Sequence, residues 1–219
     1  MLLWRHGRTA HNAAGRLQGQ IDIPLDDVGL WQARTAAAAL AARYRPTVVV
    51  TSDLGRARAT AEMLTAQVGL ELVVDPRVRE RSFGDWEGLT AAEIAERWPA
   101  EHAAWASGGE PHRPGGETRE VVARRVSAAV TEHAQGLSDD DTLVVVTHGA
   151  AIGLGVGGLL GLPSEWRGIV GVSNAHWAEL RLGRGPLGPA WRLLGYNLGP
   201  TDASSDWDAG PDREVRDPD

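Results

Sequence analysis

The chain of 219 residues contains no cysteine and no lysine. The first absence excludes a disulfide framework, a thiolate nucleophile and any zinc site built on sulfur. The second excludes Schiff-base chemistry, a P-loop lysine on a phosphate and a kinase-type lysine. All 22 cationic side chains are therefore arginine. An anionic substrate has to be held by arginine, histidine, backbone N–H groups or a metal. GC-rich coding also favours arginine together with Ala, Gly, Val and Pro, so catalysis does not account for the whole surplus.

The balance of 29 acids against 22 cations, a net charge of −7, gives no support to nucleic-acid binding. The charge is uneven. Residues 200–219 hold seven acids against Arg213 and Arg216, a net of −5, which leaves −2 for the rest. Rich in proline and with Trp207 as its one large apolar side chain, this stretch reads as a solvated, mobile tail that Trp207 can tack to a body spanning 1–199. Charge arrives at Arg5, too early for a secretory apolar region. The stretch 143–162 runs twenty residues without a formal charge, the length of a membrane span. Its β-branched start, the break at His148-Gly149 and its glycines instead describe a buried strand followed by a Gly-rich helix. A cytoplasmic protein without membrane or nucleic-acid partners is expected.

Short apolar runs alternate with longer helical patterns, the signature of an α/β layered sheet with helices on both faces. Strands are expected at 2–4, 47–51, 70–74, 143–147, 176–182 and 191–194. A helix is expected over 27–44, with Leu30, Ala33, Ala37, Leu40, Ala41 and Tyr44 on one face. Ser52 or Asp53 can cap a second helix, and Thr90 with Glu93 forms a capping box for a short third. Residues 117–134 read as a further helix with Val121, Val122, Val126, Ala129 and Val130 inward. The Gly- and Pro-rich stretch 99–116 reads as an irregular loop or lid. The last two strands, separated by 183–189, can pair as a hairpin, making a mostly parallel sheet mixed at one edge.

The chemistry gathers at strand ends, where open α/β sheets bind ligands. The first strand runs into Trp4-Arg5-His6-Gly7-Arg8-Thr9, with Asn12 beyond. Arg5 offers a bidentate fork for an anion and Gly7 lets the backbone turn closely around it. The fourth strand ends in the same way, at Thr147-His148-Gly149. If the two strands are neighbours, both imidazoles face one site. The Thr51–Arg56 junction delivers another arginine, although Arg56 read alone is equally a surface helix arginine. The stretch Arg79–Gly88 supplies acids, Glu80 and its rival Glu87, and Glu80 between two arginines can also be a plain ion-pair partner. His11, His102, His112 and His133 read as solvated. Trp98 and Trp105 flank 99–116 and serve either a substrate mouth or packing.

In this order the pieces resemble the histidine phosphatase superfamily, the phosphoglycerate-mutase-like fold. The resemblance rests on Arg5 to Asn12 (Arg-His-Gly-x-Thr-x-x-Asn), Ser52 to Ala61, His148-Gly149, Gln18-Gly19-Gln20 with Pro24-Leu25, Pro114 to Thr118 and Asn174-Ala175. It covers roughly 1–198 and implies a three-layer α/β sandwich. It also implies that His6 attacks phosphorus and forms a phosphohistidine. Arg5, Arg56 and His148 then surround the phosphoryl oxygens, with His148 cationic and His6 neutral. Asn12 donates to the same oxygens. Glu80 protonates the leaving oxygen and then takes a proton from water. Gln18, Gly19 and Gly149 are expected at the substrate. No metal or cofactor is expected, the partner is a small phosphomonoester, and a homodimer is compatible with the family.

Mutases of this fold carry a longer insertion with lysine and tyrosine contacts. The stretch 88–114 is short and has neither, which favours hydrolysis. Residues 18–24, 174–177 and 191–193 resemble the subgroup of glucosyl-3-phosphoglycerate phosphatases. A mutase and a phosphatase of another ester, such as α-ribazole phosphate, are the alternatives. A metal hydrolase using His6, His11, His148 and Glu80 is a rival from another class. A binding module without catalysis would be expected to lack one of His6, Arg5, Arg56 and His148, and all four are present.

Overall fold

The computed structural model describes residues 1–183, 190–200, 207, 208 and 210. Its frame is a six-stranded sheet in the order β3-β2-β4-β1-β5-β6. The strands are β1 (Leu2–Arg5), β2 (Val48–Thr51), β3 (Leu72–Val74), β4 (Leu143–Thr147), β5 (Trp177–Leu182) and β6 (Trp191–Leu198). From β3 to β1 neighbouring strands are parallel, whereas β5 runs antiparallel to β1 and β6 antiparallel to β5. The expected hairpin and mixed edge are both present. Of its connecting loop, residues 184–189 lie outside the described residues.

The central strands are apolar up to their last residues, Arg5, Thr51 and Thr147, because both faces are covered. Helices α2 (Asp27–Tyr44) and α3 (Gly55–Val68) bury Ala36, Ala37, Leu40, Ala57, Ala61 and Leu64 against Leu2, Trp4, Val144 and Val146. On the other face α6 (Arg119–Ala134) and α7 (Gly149–Leu159) bury Val122, Val126, Ala151, Ile152 and Val156 against Leu3 and Val145. Alternate residues of β1 and β4 thus serve opposite layers, as a period of two requires. The result is the three-layer α/β sandwich.

Side-chain capping opens some helices and not others. Asp26 accepts from the Gly29 N–H at 2.7 Å to open α2, and Thr90 with Glu93 closes its capping box on α4 (Ala91–Arg97). For α3 neither Ser52 nor Asp53 is the cap. Ser52 is engaged by His148 and Asp53 by Arg79, so Leu54 stands at the cap position and Asp22 accepts from Gly55 N at 2.8 Å instead. The first part of 99–116 is not irregular: Pro99, a favoured first helical residue, opens α5 (Pro99–Ala106). Val121 lies outward, 37% exposed, because the buried stripe of α6 runs through Val122, Val126, Ala129 and Val130. The short α1 (Ala10–Ala13) follows β1.

Trp207 is buried, its ring 4.9 Å from Trp31 and 5.5 Å from His176. Its Nε1 donates to the Asn174 carbonyl at 2.8 Å, so this side chain does anchor its segment. The remainder of the acidic tail, read from sequence as solvated and mobile, lies outside the described residues apart from Pro200, Asp208 and Gly210.

Candidate active site

The pairing register builds the site. Arg5 of β1 lies opposite Thr147 of β4, so the residues that follow, His6 and His148, emerge side by side. Their ring centroids are 5.1 Å apart. On the far side of β4, Thr51 pairs with Val146, which brings Ser52 and the start of α3 to the same sheet end. One cavity is lined by Arg5, His6, Asn12, Gln18, Gly19, Arg56, Glu80 and Gly149, every residue expected at the site except His148. His148 lies fully buried behind His6.

Hydrogen bonding sets the His6 tautomer. Nδ1 lies 2.7 Å from the Gly7 carbonyl, which can only accept, so Nδ1 carries the proton. Nε2 then bears the lone pair and accepts from Arg56 Nε at 3.3 Å. Burial, then the charges of Arg56 and Arg5, hold the His6 pKa well below the usual 6.5. The imidazole is neutral with its lone pair toward the guanidinium.

Arg56 is completely buried and is no surface arginine. Its NH1 and NH2 donate to the carbonyls of Ile21 and Gly19, each at 2.7 Å, which locks the fork while Nε addresses His6. Arg5 NH1 donates to the Val172 carbonyl at 2.5 Å, and its Nε is buried without a partner. His148 Nε2 meets Ser52 Oγ at 2.7 Å and its Nδ1 is unpartnered. Here the sequence expectation of a cationic His148 is corrected for the free protein. Burial, followed by the charges of Arg56, Arg5 and Arg125, also drives its pKa well down.

Glu80, rather than Glu87, faces the cavity. Glu80 Oε1 accepts from the N–H groups of Arg81 (2.7 Å) and Ala151 (3.0 Å), and Oε2 from that of Ala150 (3.1 Å). The carboxyl thus sits at the N-terminus of α7, an electropositive helix end. Glu87 Oε1 instead ties Gln20 N and Phe83 N at 3.1 and 2.9 Å. The oxygen of Asn12 accepts from Thr9 N and Asn174 Nδ2, at 3.2 and 3.1 Å. That fixes the amide and leaves Nδ2 as its donor. Gln18 is buried and accepts from Thr9 Oγ1 at 2.9 Å.

Gly7 also has a packing duty that its motif does not suggest. A Cβ there would lie 2.3 Å from the Gly29 carbonyl, so glycine permits the loop after β1 to pack on the start of α2. Ser52, Thr60 and Asn174 were not foreseen as site residues. Thr60 accepts from Gly7 N at 3.1 Å, and Asn174 Nδ2 donates to the His6 carbonyl at 3.1 Å. Their positions in the Ser52–Ala61 and Asn174-Ala175 blocks were the available signal. Among the described residues no three His, Asp or Glu side chains come together as metal ligands, and His11 does not line the cavity. No described helix is long and apolar enough to cross a membrane.

The model of the histidine phosphatase superfamily (branch 1) matches residues 1–197 of this chain. A glucosyl-3-phosphoglycerate phosphatase of Mycolicibacterium vanbaalenii is 38% identical over 187 residues, covering 82% of this chain and 83% of that protein. A probable phosphoglycerate mutase of Photorhabdus laumondii is 39% identical over 168 residues, covering 74% of this chain and 75% of its own. The solved structure of a mycobacterial glucosyl-3-phosphoglycerate phosphatase in complex with VO3 superposes with a TM-score of 0.82 at 37% identity. It covers 91% of this chain and 99% of that one.

Proposed function

Because this chain belongs to the histidine phosphatase superfamily, branch 1, we propose that it hydrolyses a small phosphomonoester through a phosphohistidine formed on His6. The observation that carries the reading is the neutral His6 with its lone pair on Nε2, bracketed by Arg56 and Arg5. Nε2 attacks phosphorus, the N–P bond forms and the ester P–O bond breaks. Glu80 gives its proton to the departing oxygen through Oε2, the oxygen with a single backbone donor. Water then attacks phosphorus and passes a proton to Glu80. The N–P bond breaks, and inorganic phosphate and neutral His6 are regenerated.

Arg5, Arg56, Asn12 Nδ2 and Gln18 hold the equatorial oxygens, and positioned donors of this kind supply most of the help phosphoryl transfer needs. Gly19 holds the Arg56 fork through its carbonyl, and Gly149 begins the helix whose N–H groups bind Glu80. Arrival of a phosphoryl dianion favours the protonated form of His148, whose unpartnered Nδ1 can then donate. The setting is the cytoplasm, where phosphorylated metabolites are retained by their charge. The catalytic body is 1–199, with the acidic tail outside it.

The best single substrate is glucosyl-3-phosphoglycerate, supported by the names of relatives at 38–39% identity. A second reading, phosphoglycerate mutase, is favoured by the 39% identity to a probable enzyme of that kind. Phosphate release from a panel of monoesters, run in excess chelator beside a mutase assay, tests both. Native protein is expected to release phosphate, and His6→Ala to be slower by about 10³-fold or more with the fold retained. Full activity in His6→Ala would overturn the mechanism.

A further inference from the structure

The phosphate cavity adjoins a second one of about 240 Å³, the two sharing Phe83, Gly149, Ala150 and Gly171. The floor of the second is apolar, from Gly153, Leu154 and Gly157 of α7, and Trp105 and Trp166 contribute aromatic wall. Among the described residues three arginines line it, Arg81, Arg119 and Arg167, and no acid does. Arg81 is already engaged, by an ion pair with Glu110 and a bond to the Glu117 carbonyl at 2.9 Å.

The other two guanidiniums have no such close counter-charge. Arg119 NH1 donates to the carbonyls of Gly108 and Gly109, both at 2.9 Å, with Glu110 at 3.9 Å. Arg167 bonds the carbonyls of Ser164, Trp166 and Gly108, at 2.8, 2.9 and 3.3 Å. Among the described residues Arg167 makes no ion pair. Since both reach the Gly108 carbonyl, two like charges are held side by side at one rim. Burial and then repulsion from the Arg167 charge lower the pKa of Arg119, against the pull of Glu110 and Glu165. Placing an anion between two such forks relieves that repulsion and forms charge-assisted hydrogen bonds. A third group points to a ligand. The Tyr196 hydroxyl is buried without a hydrogen-bond partner and lines the same cavity. An unpaired buried hydroxyl is costly unless a ligand supplies the acceptor. Burial pushes this phenol up to about 12, so it is a neutral donor.

We propose that this cavity receives the leaving group, that Arg119 and Arg167 clamp a carboxylate on it, and that Tyr196 donates to an oxygen of the same group. The substrate class is then a phosphomonoester whose alcohol portion is itself a carboxylic acid, with the aromatic wall free to take an attached sugar ring. This rests on the phosphomonoesterase reading above and narrows it.

The test uses 3-phosphoglycerate and glucosyl-3-phosphoglycerate, each as the free acid and as its carboxyl methyl ester. Native protein is expected to prefer at least one acid over its ester in kcat/KM by roughly 10- to 100-fold, the worth of hydrogen bonds to a charged group. Arg167→Gln and Arg119→Gln should lose that preference through a raised KM for the acid, with the ester unchanged. Arg119→Lys should recover part of it. Tyr196→Phe should raise KM for both forms. Equal turnover of acid and ester by native protein overturns the clamp and leaves the phosphatase reading standing, as does an Arg167→Gln that slows both forms alike. Failure to hydrolyse any of the four, with phosphate still released from other monoesters, overturns this proposal alone; failure on every monoester overturns the phosphatase reading and this proposal with it.

Discussion

The state of a single imidazole is set here by burial, two cations and a carbonyl. The Gly7 carbonyl selects the tautomer, and burial, then Arg56 and Arg5, suppress protonation. The neutral form of His6 therefore persists as pH falls below 6.5, and kcat/KM should lose its acid limb only at lower pH. Arg56→Met removes the largest cationic contribution, so the His6 pKa rises and that limb should move to higher pH. A pH–rate profile of the variant reads this independently of the drop in rate that losing a phosphate ligand also causes. An unshifted limb would mean that burial alone sets the His6 pKa. The identities of His6, Arg5 and His148 were legible in sequence from two strand-His-Gly junctions. The burial of Arg56 was not, since a helix arginine carries no sign of where its face points.

At the scale of elements, the loop that carries His6 depends on how closely it meets α2. Gly7→Ala would place a methyl 2.3 Å from the Gly29 carbonyl. It should destabilise the protein by about 1–3 kcal/mol, as overpacking does, with a lower thermal midpoint as the readout. Little change would show that the loop can withdraw from α2 without loss. The boundaries of α2 and β4 could be read residue by residue from apolar periodicity and run length. The cap of α3 could not, because the side chains best suited to it, Ser52 and Asp53, are drawn into tertiary contacts with His148 and Arg79. The register of α6 was legible to within one residue: Val121 and Val122 are equally apolar, and packing against α7 decides between them.

For the whole molecule, Trp207 joins distant segments: its ring stacks by Trp31 and His176, its Nε1 bonds the Asn174 carbonyl, and its own carbonyl accepts from Gln32 at 3.0 Å. Trp207→Ala should cost about 3 kcal/mol, measured by urea unfolding; an unchanged midpoint would show that the anchor contributes no stability. Global stability should also fall with acid in two stages. His6 and His148 are neutral when folded but take protons in the unfolded chain below about pH 6.5. The unfolded state then binds more protons, and stability drops as pH falls from ~7 toward ~5. Asp75 and Glu93, held down to about 2 by their hydrogen bonds, lose their contributions only as pH falls below the usual carboxylate range. The double variant His6→Ala/His148→Ala should flatten the first stage in urea midpoints and leave the second. A first stage of undiminished slope would place its cause elsewhere. The sequence alone determined the layered α/β class, the choice of arginine and histidine over lysine and cysteine at the phosphate, and most of the cavity's members. These follow from local periodicity and from which side chains exist at all. The tertiary structure decided which nitrogen of His6 is free, that His148 is neutral before an anion arrives, and that Arg119, Arg167 and Tyr196 meet at one rim. Those depend on burial, strand register and contacts between residues far apart in the chain, and no local pattern encodes them.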